Sequence, residues 1–185
     1  MAAFERVASR PVHTGHVISL SVDTFTGPDG SRFDREVVRH PGAVSVVPVL
    51  VEADGSATVV MVRQYRAALD ALLLEIPAGK RDVPDEAPEV TAERELEEEV
   101  GYRAGKLERL AWFHNSPGFS NEFSHLFLGT DLVAVPTNLQ GVEEQHMTVE
   151  HVALDDVPAL IAAGTHTDAK SIIGLLLARE HLAGR

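Results

Sequence analysis

Residues 94–101 read Arg-Glu-Leu-Glu-Glu-Glu-Val-Gly, a run of four carboxylates directly after a Pro77-Ala78-Gly79 turn and a short polar stretch. The run is helical: Ala92, Leu96 and Val100 recur at i, i+4 and i+8 and form a buried stripe. Pro88 suits a first helical turn and Gly101 a left-handed cap, so the spacing predicts a helix from Pro88 to Val100. Glu95, Glu98 and Glu99 then project from one face. Like charges so spaced cost a helix about 0.2–0.5 kcal/mol per pair unless positive charge lies over them. Hard divalent cations take oxygen ligands, so this face has the donor set that Mg²⁺ or Mn²⁺ requires. The competing reading of the same residues is a solvated acidic surface.

The rest of the chain predicts the sheet on which that helix must pack. Val17–Asp23 alternates apolar and polar residues, Gly27-Pro28-Asp29-Gly30 signals a turn, and Arg32–Arg39 makes a second strand. This hairpin has few core-forming neighbours of its own, so it must pack on the main domain or on a second subunit. Ala43–Glu52 and Thr58–Arg66 flank Ala53-Asp54-Gly55-Ser56 as a second hairpin, apolar enough to be central, and Leu72–Ile76 is a further strand. Later strands are expected at Leu107–Phe113, Ser124–Asp131 and Thr148–Leu154, and helices at Asp155–Ala163 and Asp168–Leu182. In the last helix Ile172, Ile173, Leu175, Leu176 and Leu177 supply a broad apolar face. The order implies an α/β fold with a mixed central sheet covered by helices on both faces.

Composition removes several function classes. The net charge of −12 opposes sequence-independent binding to a nucleic-acid backbone. Zero cysteines exclude disulfides and thiolate chemistry and agree with a cytoplasmic setting. No apolar run approaches the roughly 18–20 residues that span a bilayer, so no membrane partner is expected. A phosphate-bearing small substrate must be met by metal ions and a few local arginines.

Residues 94–101 closely resemble the Nudix box: Gly, five residues, Glu, seven residues, then Arg-Glu-apolar-any-Glu-Glu-any-Gly-apolar. Arg94, Glu95, Leu96, Glu98, Glu99 and Gly101 fall in register, Tyr102 takes the last apolar place, and seven residues separate Glu86 from Arg94. Six residues separate Gly79 from Glu86, so either the entry loop is one residue longer or Asp85 takes that place. The resemblance covers roughly residues 43–180 and implies a Nudix-type α/β/α sandwich. The expected division is an N-terminal antiparallel hairpin extension over 1–42, with a role in dimerisation, and a hydrolase domain over 43–185. It further implies Mg²⁺-dependent (or Mn²⁺-dependent) hydrolysis of a phosphoanhydride, with two to three ions per site. Glu95 and Glu99 carry over as main ligands, the Ala78 carbonyl as a third and Glu98 in support. Arg94 would orient a glutamate, the alternative being an ordinary helix salt bridge, and Gly79 and Gly101 shape the turn and cap.

Three stretches resemble the ADP-ribose pyrophosphatase branch: Val62-Arg-Gln-Tyr-Arg66, Leu74-Glu-Ile-Pro-Ala-Gly-Lys80 and Ser116-Pro-Gly-Phe-Ser-Asn-Glu122. In that branch a proline about sixteen residues after the box marks enzymes acting on ADP-ribose, and Pro117 is sixteen residues after Gly101. Asp168-Ala-Lys-Ser171 is a fourth echo. The expected substrate residues are Arg63, Arg66, Glu75, Pro117, Gly118 and Phe119. Alternation sends Arg63 and Arg66 to opposite faces, so only one would reach the site; Arg66 is favoured for phosphate or substrate contact, the alternative being a fold-stabilising ion pair. Glu75 is either an adenine acceptor or a polar strand residue, and Phe119 either a stacking ring or a core plug. For the general base the loop Gln140–Met147 offers Glu144 first and Glu143 second, with Glu98 the remaining choice; His146 stands where relatives often carry an acid. The expected products are AMP and ribose 5-phosphate, from a homodimer whose N-terminal strands cross to the partner. The alternatives are hydrolysis of another nucleoside diphosphate sugar or a dinucleotide, and, in a different class, a non-catalytic ADP-ribose-binding regulator.

Overall fold

The computed structural model describes residues 3–139 and 144–184, and the chain divides into two compact units. The smaller comprises Met1–Gly42 and Phe113–Phe123, the larger Ala43–Trp112 and Ser124–Arg185. Among the described residues no helix is long and apolar enough to cross a membrane.

In the smaller unit the expected hairpin, β2 (Ser19–Thr26) and β3 (Arg32–Arg39), gains an unforeseen strand, β1 (Glu5–Thr14), giving an antiparallel sheet in the order β1-β2-β3. All of β1 is exposed, so it carries no buried period to read, and Pro11 is tolerated because β1 is an edge strand. The alternation in β2 is also used differently from expectation. Its polar residues Ser21 and Asp23 are buried, while Leu20 is only half-buried like Val22. Asp23 makes this possible: it accepts hydrogen bonds from Ser9 Oγ at 2.6 Å and Ser21 Oγ at 2.8 Å and pairs with Arg6 and Arg39. A buried carboxylate is tolerated when it is so fully met by donors.

The larger unit holds β4 (Ala43–Val51), β5 (Ala57–Arg66), β6 (Ala71–Glu75), β7 (Ala78–Lys80), α1 (Pro88–Val100), β8 (from Tyr102 to His114), β9 (Phe123–Ala134), β10 (Thr148–Ala153), α2 (Val157–Ala162) and α3 (Ala169–Ala183). The sheet runs β10-β5-β4-β9-β8, with β6 on β5 and β7 on β4. It is mixed, since β4 runs parallel to β9 and antiparallel to β5. The three-residue β7 has no period and was not expected. The helix foreseen at Asp155–Ala163 is instead a 3-10 turn, Leu154–Asp156, leading into α2.

Alternation along β4 explains the layers. Val44 and Val46 join Val60, Val62 and Phe127 in a core with Ala92, Leu96 and Val100 of α1. Val47, on the opposite face, meets α3 at Gly174, where a Cβ would come within 2.8 Å of its Cγ2. The broad leucine face expected on α3 is corrected here. Ser171, Gly174, Leu175 and Ala178 are its buried residues, and Leu176 is 43% exposed; at Gly174 the close approach of the sheet requires the absence of a side chain.

β4 and β5 are in hydrogen-bonded register only over Val49–Val51. Towards its start β4 pairs instead with β7, while the end of β5 pairs with β6. The turn joining β6 to β7 therefore sits where the central strands diverge, facing α1.

Candidate active site

Helix α1 brings the acids to that turn. Its C-cap, Gly101, is left-handed at φ 70° and donates its N–H to the Glu97 carbonyl at 3.1 Å. Ahead of the helix, Glu86 accepts from Thr91 Oγ1 at 2.6 Å and lies 3.7 Å from Arg94. Glu86, not Asp85, thus meets the helix, and Asp85 turns the entry loop with φ 60°.

Glu99 is only 6% exposed, and its Oε2 accepts the Ala78 N–H at 3.0 Å. Glu95 lies against Gly79 so closely that a Cβ there would overlap its carboxylate. Arg94 pairs with Glu95 at 2.8 Å and, one turn on, with Glu98 at 3.3 Å. Burial, above all, pushes the Glu99 carboxyl up to about 8, with repulsion from Glu95 adding to it. Glu95 is pushed to about 7, again chiefly by burial, against the opposing pull of Arg94. Glu144, opening a 3-10 turn at Glu144–His146, adds negative charge that raises both. His146 is exposed in the same turn, and Glu143 lies outside the described residues.

A buried and a half-buried acid, both with raised pKa values, form a site short of positive charge. As they stand, no three His, Asp or Glu side chains among the described residues converge closely enough to cage an ion. Glu98 is drawn to Arg94 and one Glu99 oxygen is tied to Ala78. The donor chemistry nonetheless fits a hard divalent cation, because all the ligands on offer are oxygens.

Residues 39–173 match the NUDIX domain model. The chain belongs to the Nudix family. The ADP-ribose pyrophosphatase of Bacillus subtilis (strain 168) is 39% identical over 165 residues, covering 89% of this chain and 86% of that one. The methanol dehydrogenase activator of Bacillus methanolicus is 38% identical, over 91% and 89%. The ADP-ribose pyrophosphatase of Mycobacterium tuberculosis (strain ATCC 25618 / H37Rv) is 36% identical, over 94% and 82%. A solved structure titled as an ADP compounds hydrolase superposes with a TM-score of 0.82 over 98% of this chain and 95% of that one, at 22% identity, and shares the Nudix fold.

The other expected site residues separate into two groups. In the larger unit Arg66 pairs with Glu75 through Nε and Nη2, both at 2.6 Å. Glu75 is 1% exposed and also holds Lys170, so its carboxylate is internal rather than presented to solvent. Desolvation acts to raise its pKa, but the hydrogen bonds and charges of Arg66 and Lys170 prevail and hold it low. Arg63 turns the other way and pairs with Glu150 on β10 at 2.5 and 3.0 Å. In the smaller unit, Pro117, Gly118 and Phe119 line a cavity of about 490 Å³ with Phe25, Arg6 and Arg39. The loop is stitched to β3 by Val38 N–H to Phe119 O at 2.8 Å and His40 N–H to Asn121 Oδ1 at 2.9 Å. Phe119 is 58% exposed and so is no core plug. Sequence reading missed Asp23, Lys170 and Ser171 as organising residues; only the Asp168-Ala-Lys-Ser171 echo pointed towards the last two.

Proposed function

We propose that this Nudix protein is a divalent-cation-dependent hydrolase that cleaves ADP-ribose to AMP and ribose 5-phosphate. The observation that carries the reading is the Glu95–Glu99 pair, largely withdrawn from solvent, raised in pKa and set against the Ala78–Gly79 turn. The substrate choice is supported by the names of two relatives, 39% and 36% identical, and by Pro117.

On this reading Glu95 and Glu99, with Glu98 in support and the Ala78 carbonyl, would hold Mg²⁺ or Mn²⁺, two to three ions per site. Bound there, the ions supply Lewis acidity towards phosphate oxygens and neutralise their charge. Arg94 keeps Glu95 and Glu98 oriented through its ion pairs. Glu144 takes one proton from the attacking water, with Glu143 and then Glu98 as the other choices. The water oxygen bonds to one phosphorus while the bridging P–O bond breaks, and the second proton stays on the newly formed phosphate. Arg66, whose guanidinium is partly exposed beyond Glu75, contacts the diphosphate. Pro117, Gly118 and Phe119 receive the nucleoside, whereas Arg63, paired with Glu150 on the opposite face, takes no part. The enzyme works as a cytoplasmic homodimer joined through residues 1–42; the apolar side chains along exposed β1, such as Val12 at 51%, support that assembly.

Incubation with ADP-ribose and Mg²⁺ should release AMP and ribose 5-phosphate in equal amounts, and EDTA should abolish the release. A panel of other nucleoside diphosphate sugars and dinucleotides tests substrate choice. Failure to turn over any of them with any divalent metal sinks the reading.

A further inference from the structure

We propose that the first turn of α3 is a positioning clamp for the acid-bearing turn, with Ser171 holding Ile76 and, through it, Ala78 and Glu99. The inference rests on Glu99 being a working part of the site, as proposed above. Its observations are separate from that reading.

Ser171 is fully buried. Its hydroxyl proton is committed to Asp168 Oδ2 at 2.6 Å, so towards Ile76 its oxygen can only accept, and it does so from the Ile76 N–H at 2.9 Å. Ile76 lies just beyond β6, where the ladder ends, and its fully buried N–H would otherwise have no ladder partner. Beyond the Ile76 carbonyl, the Pro77 carbonyl accepts from Val46 N–H at 3.0 Å. The one after it, Ala78 N–H, donates to Glu99 at 3.0 Å. Three backbone groups within the three residues Ile76–Ala78 are thus held by α3, β4 and α1 in turn. Pro77 cannot donate and has a fixed φ, so the segment has little freedom to absorb a loss at either end.

The rest of the turn fixes Ser171. Asp168 Oδ2 also accepts the Ser171 N–H at 3.0 Å and Lys170 Nζ at 2.9 Å. Lys170 bridges onward to Glu75, the residue before Ile76 and the one that Arg66 grips. Gly174, one turn further along α3, lets the helix sit close: a Cβ there would approach Ile76 Cδ1 to 3.1 Å. Glu75 belongs to this clamp, and none of these groups needs to touch substrate. Their effect on the reaction is the fixed direction of the Ala78 peptide, and hence of the carboxylate bonded to it.

The test is Ser171→Ala, read in three ways. Amide hydrogen exchange at Ile76 and Ala78, followed by NMR on the protein without metal, should accelerate at least tenfold beyond any global change. Mn²⁺ binding, followed by electron paramagnetic resonance, should weaken several-fold. With ADP-ribose, kcat should fall about tenfold while KM moves less than twofold. Leu175→Val, a buried change on the same helix without clamp contacts, supplies a comparison of similar lowered stability and should move none of the three. If Ser171→Ala does not fold, Lys170→Met carries the same measurements with smaller shifts. Parent-like exchange at Ile76 and Ala78 together with parent-like Mn²⁺ binding, alongside a lowered melting temperature, overturns the clamp. If the parent protein itself leaves ADP-ribose intact, the proposed function falls, and the exchange rates still decide the clamp.

Discussion

Replacing Glu99 by glutamine should remove much of the loss of stability with rising pH that this site contributes. The Glu99 carboxyl is raised from 4.5 to about 8, first by burial and then by the charge of Glu95. Between those values the folded chain holds a proton that the unfolded chain has released, so raising the pH through this window destabilises the fold. At about 1.4 kcal/mol per unit, the shift has a ceiling on the order of 5 kcal/mol. Glu95 and Glu99 titrate as a pair, so part of that energy is shared, and roughly 2–4 kcal/mol should be recoverable by removing one charge. Glutamine keeps an oxygen for the Ala78 N–H, which isolates the charge. In urea unfolding with EDTA, Glu99→Gln should therefore gain about 2–4 kcal/mol on the parent between pH 5 and pH 9. Mg²⁺ at about a thousand times its Kd should reverse the order, since it adds about 4.1 kcal/mol to a protein that binds it, more than Glu99→Gln gains. A difference between the two proteins that stays flat with pH, or grows in the parent's favour, refutes the reasoning.

Gly79→Ala places a Cβ into the Glu95 carboxylate, so AMP release should drop at least a hundredfold while circular dichroism stays that of the parent. Gly174→Ala should cost about 1–3 kcal/mol in urea unfolding, because the new methyl meets Val47, Ile76 and Leu126. Asp23 has a pKa held below its usual value of 3.8, chiefly by the Ser9 hydroxyl, so its stabilisation is present above that value and is lost as the pH falls through the lowered one. Asp23→Ala should open the β1–β3 sheet by about 3 kcal/mol, read as faster amide exchange in β2 at pH 7. Sedimentation equilibrium at micromolar concentration should return twice the chain mass; a monomer would remove the dimer from the proposal.

How far the sequence could be read follows from where burial leaves a period. Ala92, Leu96 and Val100 announced α1, and Pro88 and Gly101 marked its ends, because a helix with one buried face must repeat that way. The central strands were legible from their continuous apolar runs, since β4 is covered on both faces. β1 was not, as nothing in it is buried, and β7 is too short to repeat. In α3 the leucines partly misled, because Leu175 is buried with Ser171, Gly174 and Ala178 while Leu176 and Leu177 are turned outward. The acids and Arg94 stood out because α1 groups them locally. Lys170 and Ser171 did not, since they meet Glu75 and Ile76 across 95 residues of chain.

The parallel pairing of β4 with β9 aligns Ala43 with Ser124 and the residues that follow. Bringing them together closes a loop of about eighty residues, whose entropic cost falls due before the pairing returns any energy. The hairpins of the smaller unit close far shorter loops. During refolding an open-edged β1–β3 sheet should thus exist before the acid-bearing turn has a frame to stand in. That interval, when Val7 and Val12 are bare and the larger core is unfinished, is when crowded chains are most prone to aggregate.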